Sequence, residues 1–205
     1  MYLQAVVAHV AGQNPAEYMD SELLQPLGMK NSCFIWDGTQ DLSIAVGHDE
    51  KGEAQKKYLW QKMNAAASLH CTPKDFGKFM CAVMQPSREN PTHLSLEMTK
   101  EMLTSQVQVN DSAPWDDDWP KPKIKTNESV GWGLGWGIQQ TSKGVSIWHW
   151  GDNGNYRAFA IGYPEESHGM VIMTNGKNGQ KVINAILREI VGGEYPGLDW
   201  LCGAN

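Results

Sequence analysis

Long apolar runs are absent from this sequence. No stretch approaches the roughly 20 continuous apolar residues that a membrane-spanning helix needs, and the best candidate, Ala5 to Ala11, is broken by His9 and closed by Gly12. The start also lacks the Lys/Arg lead and small-residue cleavage site of a signal peptide, which leaves the compartment unread. Basic residues are in deficit: 17 Lys and Arg stand against 23 Asp and Glu, for a formal net charge of -6. With no dense Lys/Arg run to neutralise phosphates, nucleic acid is not an expected partner. The four cysteines, Cys33, Cys71, Cys81 and Cys202, form no C-x-x-C pair and no cluster at zinc-ligand spacing. They read as scattered thiols, and neither a metal nor another cofactor is expected.

What remains is the composition of an ordinary globular domain, with 41% hydrophobic and 20% charged residues in 205. Tyr2, Val6 and Val10 mark a helical stripe with no cap before it, so the chain opens in mid-pattern and a preceding segment is expected. That helix should end at Gly12. Asn14, Pro15 and Glu17 supply an N-cap, an N1 proline and a capping-box glutamate for the next helix, which stops at Pro26-Leu27-Gly28-Met29. Residues 30 to 62 read as irregular, with turns at Asp37-Gly38 and Lys51-Gly52. Thr72-Pro73-Lys74-Asp75 then opens a clear helix with Phe76, Phe79, Met80, Val83 and Met84 on one face. A further helix is expected from about Ser95 to Ser105, with Leu96, Met102 and Leu103 inward, before a long surface excursion over 110–128.

From Val130 onward the pattern becomes that of strands. Gly133 to Gln140 and Val145 to Trp150 flank a Ser142-Lys143-Gly144 turn; Tyr156 to Tyr163 and Met170 to Thr174 flank a Glu165 to Gly169 turn. Antiparallel hairpins follow from that spacing, giving a four-stranded sheet. A last helix over Gln180 to Val191 should bury Val182, Ile183, Ile186, Leu187, Ile190 and Val191 and stop at Gly192-Gly193. The fold class is therefore α+β, an antiparallel sheet packed with helices. Residues 1–129 form its mainly helical part with long loops, and residues 130–205 form the sheet with its C-terminal helix. A sheet of this size leaves open edges unless strands from elsewhere complete it.

Chemistry concentrates in Trp148-His149-Trp150-Gly151-Asp152-Asn153-Gly154. An imidazole at a strand end, followed by glycines, sits beside a backbone that a ligand can approach closely and that can offer N–H groups to a developing oxyanion. Taken alone, a structural histidine capping a strand is the plainer reading. Other signals are weaker. Ser146 misses the last glycine of G-x-S-x-G and lies inside a strand, the 131–137 glycine and tryptophan run does not satisfy G-x-G-x-x-G, and Asp116, Asp117 and Asp118 lack the spacing of a calcium loop. His70 and Cys71 beside the Thr72 cap read as helix-entry residues.

Order adds what no single motif carries. Gly131 to Gly137, then His149-Trp150-Gly151, then Tyr163-Pro164-Glu165 and Met173-Thr174-Asn175-Gly176 resemble the serine beta-lactamase and penicillin-binding-protein superfamily, in its class C-like branch of beta-lactamases, D,D-peptidases and esterases. Upstream, Gly12, Glu17-Tyr18, the Pro26 to Met29 run and Ala65 to Phe79 resemble the same branch in the same order. The resemblance implies that His149-Trp150-Gly151 stands where the family has Lys-Thr-Gly or His-x-Gly. His149 would then contact a substrate carboxylate or assist proton transfer, with the backbone N–H of Asp152 after Gly151 as half of an oxyanion hole. Trp150 replaces a small residue; it either narrows the cleft or stacks on an aromatic substrate, or it packs in the sheet.

The family's Ser-x-x-Lys and Tyr-x-Asn do not occur here, because no serine has a lysine three residues later and no tyrosine an asparagine two later. The resemblance thus implies the C-terminal portion of a beta-lactamase-like fold, lacking its N-terminal part and unable to acylate alone. The implied substrate is a small molecule or peptide with an amide or ester bond, and relatives of this kind are often periplasmic or secreted. Self-association, or an N-terminal segment supplied from elsewhere, is the expected partner. A non-catalytic binding or interaction module that keeps the fold fragment is the competing expectation.

Overall fold

The computed structural model describes residues 2–36, 38, 43–57, 60–86, 94–109 and 129–202. The 110–128 excursion with Asp116, Asp117 and Asp118, and Asp37 of the expected Asp37-Gly38 turn, lie outside the described residues.

Six strands build one antiparallel sheet in sequential order: β1 Val107–Gln108, β2 Val130–Trp132, β3 Gly137–Thr141, β4 Gly144–Asp152, β5 Arg157–Tyr163 and β6 His168–Thr174. Both expected hairpins are present. Ser142 and Lys143 join β3 to β4, whose first residue, Gly144, adopts φ +95°, a conformation that L side chains resist. The four-stranded expectation falls short by β1 and β2, which at two and three residues are too short to show an alternating pattern. β3 also starts later than expected. Gly133 to Trp136 is a bend in which the Gly133 N–H donates to the Trp136 carbonyl at 2.7 Å, and Gly135 takes φ +84°.

One face of the sheet receives α3, Pro73–Met84. Its Met80, Val83 and Met84 bury against Trp136, Ile138, Ile147 and Ala160. A Cβ added at Gly162 would collide with the Met84 sulfur, so this glycine is what lets the helix lie close to β5. The α3 cap is as expected: Thr72 Oγ1 accepts from the Asp75 N–H at 3.2 Å. Asp75 is itself buried, and its carboxylate accepts from the Asn31 N–H at 2.8 Å, from Ser32 Oγ at 3.2 Å and from Lys78 Nζ at 2.7 Å. Lys78 also donates to the Gly28 carbonyl, tying the Pro26 to Met29 turn to the helix.

The opposite face buries Trp148, Phe159, Ile161, Ile183, Leu187, Leu198 and Leu201. These come from the sheet, from α5 (Gly179–Ala185) with its π-helical continuation Ile186–Val191, and from α6, Pro196–Cys202. Val182 and Ile190, expected inside, are 50% and 75% exposed. The π turn explains Ile190: with more than four residues per turn, the face that carries Ile183 and Leu187 returns at Val191. α6 has no counterpart in the sequence expectation, because Gly192-Gly193 reads as the end of the pattern.

Helices α1 (Tyr2–Ala11), α2 (Pro15–Met19, continuing as a π turn over Asp20–Leu24) and α4 (Leu96–Met102) complete the described elements. Asn14 caps α2 by accepting from the Ala16 N–H at 2.9 Å, and Ser95 caps α4 through the Met98 N–H at 3.0 Å. The α1 stripe forms a helix but is not buried. Tyr2 is 86% and Val10 80% exposed, and Gln4 ties the helix down by donating to the Met63 carbonyl and accepting from the Ala65 N–H at 2.8 Å. Leu96, expected inward, is also exposed. The described residues of the 30–62 region are irregular as expected, fastened by single bridges such as Cys33 to His70 and Trp36 to Trp60. Among the described residues no helix is long and apolar enough to cross a membrane.

Candidate active site

β4 outruns β3. Its register with β3 ends at Trp148 opposite Gly137, whereas its register with β5 continues through Asp152 opposite Arg157. His149, Trp150, Gly151 and Asp152 therefore border a flank that no strand pairs among the described residues, β3 having bent away. Alternation along a strand sends neighbouring side chains to opposite faces. Here the His149 and Trp150 rings instead lie over one another, with centroids 5.1 Å apart and planes 13° from parallel.

Of these four residues, His149 brings a titratable ring into an aromatic enclosure. Trp132 and Trp136 meet it edge-on at 5.6 and 6.5 Å. Its Nδ1 lies 2.7 Å from the Trp150 carbonyl oxygen. A carbonyl only accepts, so Nδ1 carries the proton and Nε2 keeps its lone pair. Burial pushes the imidazole below its ordinary value, and the hydrogen bond to Trp150, which raises it, does not offset that. The ring is consequently neutral at pH 7. A neutral imidazole is a poor ionic partner for a substrate carboxylate and a competent proton acceptor.

Around it the other three residues do different things. Trp150 packs against Trp132, Trp148 and Trp200 as well as His149, with centroids 5.1 to 6.4 Å away, so its ring is a wall of the sheet's aromatic cluster. Gly151 is not forced by β5: a Cβ there would meet the Ala158 Cβ at 3.4 Å and the Ala158 N at 4.0 Å, ordinary contacts. The Asp152 carboxylate is engaged in the β4–β5 turn, paired with Arg157 Nη1 at 2.6 Å and accepting from the Gly154 N–H at 3.2 Å. Gly154 takes φ +66° there. Arg157 further donates to the carbonyls of Gly154 and Tyr156, which makes the turn rigid.

Asparagines and a tyrosine that the sequence pattern does not single out hold the rim. Asn153 Nδ2 donates to the Ala67 carbonyl at 3.0 Å, Tyr156 OH to the Ala45 carbonyl at 3.0 Å, and Asn175 Nδ2 to the Val46 carbonyl at 2.8 Å. The His48 N–H donates to the Asn175 carbonyl at 2.7 Å. These bonds stitch the irregular 43–57 and 63–70 segments to the end of the sheet where His149 sits. Asn153 and Asn175 stand in the motif segments, and amides at strand ends beside turns are the available signal.

Ser146 is fully buried in β4 and remote from the open flank. His70 lies tilted against Trp36, ring centroids 5.7 Å apart, with burial lowering its pKa, and among the described residues no group of His, Cys, Asp and Glu could hold a metal ion.

The sequence model of the family described as Beta-lactamase matches residues 1–191. No curated protein matches the chain. Among solved structures, the octameric penicillin-binding protein homologue from Pyrococcus abyssi is similar at 20% identity with a TM-score of 0.70, over 98% of this chain and 42% of that one. The penicillin-binding protein from Bacillus halodurans is similar at 21% identity and a TM-score of 0.69, over 90% of this chain and 52% of that one. The beta-lactamase/D-alanine carboxypeptidase from Pseudomonas syringae follows at 12% identity and 0.67, over 92% and 57%. The chain thus spans about half the length of the solved structures it matches, and at these identities the likeness is one of fold.

Proposed function

The chain belongs to the beta-lactamase family, and from that premise we propose that it supplies one wall of the cleft of a serine hydrolase that opens amide or ester bonds through an acyl-enzyme. Residues 1–129 and 130–205 are, in this reading, parts of one domain. The observation that carries it is the state of His149 on the open flank of β4: Nδ1 is committed to the Trp150 carbonyl, and no described residue partners Nε2.

Chemically, a serine oxygen adding to the substrate carbonyl creates an oxyanion, and the addition becomes productive when a base takes the hydroxyl proton and a donor meets the new charge. In this reading His149 Nε2 accepts or returns a proton at the leaving group, and the Asp152 N–H donates to the oxyanion. Trp150 supports the His149 ring by stacking rather than contacting substrate. The serine, with the lysine that activates it, must come from outside these residues, because Ser-x-x-Lys and Tyr-x-Asn do not occur in the sequence. The substrate is a small molecule or peptide carrying the scissile amide or ester.

The test joins the purified chain to a segment bearing Ser-x-x-Lys and Tyr-x-Asn and follows a chromogenic beta-lactam and a p-nitrophenyl ester. Turnover should require the added segment and fall about 100- to 10,000-fold with His149→Ala, the usual worth of a positioned proton-transfer group. Turnover that is indifferent to His149 would defeat the reading. The absent nucleophile also supports a second function, that of a non-catalytic binding module; saturable ligand binding by the chain alone, with no joined form ever turning over, would favour it.

A further inference from the structure

α6 lies beyond residues 1–191, the reach of the family model, and it is fastened at several points. The Gly197 N–H donates to Gln139 Oε1 at 3.0 Å, on a side chain fully buried in β3. A Cβ added at Gly197 would collide with the Trp148 indole, so a glycine is what lets the helix lie this close to β4. Leu198 and Leu201 bury in the same core, and Arg188 pairs with Asp199. Ahead of the helix the Gly192 carbonyl accepts from Lys143 Nζ at 3.0 Å and from the Tyr195 hydroxyl at 3.1 Å. A helix held in this way presents its half-buried Trp200 at a fixed place.

That place is against the aromatic cluster of β4. Trp200 meets the Trp150 ring edge-on, with centroids 6.4 Å apart and planes at 77°, and leans on Trp148 at 6.3 Å. The Trp132, Trp148 and His149 rings that also contact Trp150 belong to the sheet, whereas Trp200 is brought to it by a different layer. Trp150 in turn lies flat on the His149 imidazole. An indole turns about two side-chain bonds, and one hemmed between a sheet and a helix has few rotamers open to it. We propose that Trp200 is a positioning residue for His149: by holding the Trp150 ring in place it keeps the imidazole stacked beneath that ring, with Nδ1 toward the Trp150 carbonyl. Its catalytic meaning rests on the role proposed above for His149; the positioning itself does not.

Two measurements on the 205-residue chain test this. The first needs no substitution: in nitrogen-15 NMR the Trp150 and Trp200 indole signals should move together with the imidazole as His149 titrates, because coupling between two groups is reciprocal. The second replaces Trp200 by leucine, which fills much of the space without a ring, and by phenylalanine, which supplies one. With Trp200→Leu the His149 ring protons should lose the upfield displacement that a stacked indole imposes, and the imidazole should titrate closer to its ordinary value as its enclosure loosens. Trp200→Phe should retain both signatures, and Leu187→Ala, at a fully buried position in the same core, should leave both unchanged. In the form joined to a segment bearing Ser-x-x-Lys and Tyr-x-Asn, Trp200→Leu should lower kcat about 10- to 100-fold with KM little altered, the scale of a misplaced catalytic group. A Trp200 signal indifferent to the titration, or His149 signals that ignore Trp200→Leu, are not kept by Trp200→Phe or move equally with Leu187→Ala, would overturn the proposal. The expected NMR signatures in a joined form that never turns over would overturn the hydrolase reading instead and leave the positioning intact.

Discussion

Replacing Asp75 by alanine is the sharpest probe of how the N-terminal half is fastened to the sheet. The carboxylate is buried and gathers the Asn31 N–H, the Ser32 hydroxyl and the Lys78 ammonium. Lys78 keeps the Gly28 carbonyl and is 36% exposed, so water and that carbonyl recover most of its loss. Ser32 retains the Cys71 sulfur at 3.2 Å. The Asn31 N–H, on an exposed residue, loses a part-buried hydrogen bond to a charged group, worth about 1.5–3 kcal/mol. Adding the weakened anchoring of the Gly28 to Asn31 turn gives about 2–4 kcal/mol in all. In urea, at a slope of about 2 kcal/mol per M, the midpoint should fall by about 1–2 M. Asp75→Asn, which keeps an acceptor oxygen, should cost less. pH supplies an independent check. Burial alone would raise the carboxyl, but its hydrogen bonds, that to Lys78 foremost, hold it below the ordinary carboxylate value. The unfolded chain therefore takes up the proton first as pH falls, so the advantage of the parent chain over the Asp75→Ala variant is full above about pH 4 and shrinks as pH drops further. A loss below about 0.5 kcal/mol, the range of ordinary surface substitutions, or a gap that widens in acid, would refute the reasoning.

Two other predictions address the site and the register. Nitrogen-15 NMR should show His149 as the Nδ1–H tautomer with a pKa below the ordinary imidazole value; because burial depresses both His149 and His70, the unfolded state binds protons first and stability should fall as pH drops through about 6.5. An Nε2–H form, or stability level across that interval, would count against it. Leu187→Ala, at a fully buried position, should lower stability by about 2–5 kcal/mol, whereas Ile190→Ala three residues on should stay within about 0.5 kcal/mol; equal losses from the two would show that the last turn is not π-helical.

Much of this architecture is legible where local chemistry decides it. Thr72 and Asn14 announce their helices because a cap is satisfied within three residues. The β3–β4 hairpin is announced by a turn that needs a glycine at positive φ. β1 and β2 are not legible, since their membership is decided by cross-strand partners such as Val107 with Trp132, not by their own two or three residues. The outward turn of Ile190 depends on a change of helical pitch that no hydrophobic spacing reveals. At the site, sequence order picks out His149, but its protonation pattern is set by a backbone carbonyl and by the early departure of β3. The exposure of the α1 stripe shows the same divide: periodicity makes a helix, and only a neighbour can bury it.

The close seating of α3 over Gly162 has a chemical consequence. Where a methyl group on Gly162 would collide with the Met84 sulfur, a sulfoxide oxygen pointing from that sulfur toward β5 has no place either. Met84 is only 7% exposed, which shields it while the layers stay closed. Once an oxidant reaches it through a transient opening, the swollen, polar side chain opposes reseating of helix on sheet, so damage at this joint is set by how often it breathes.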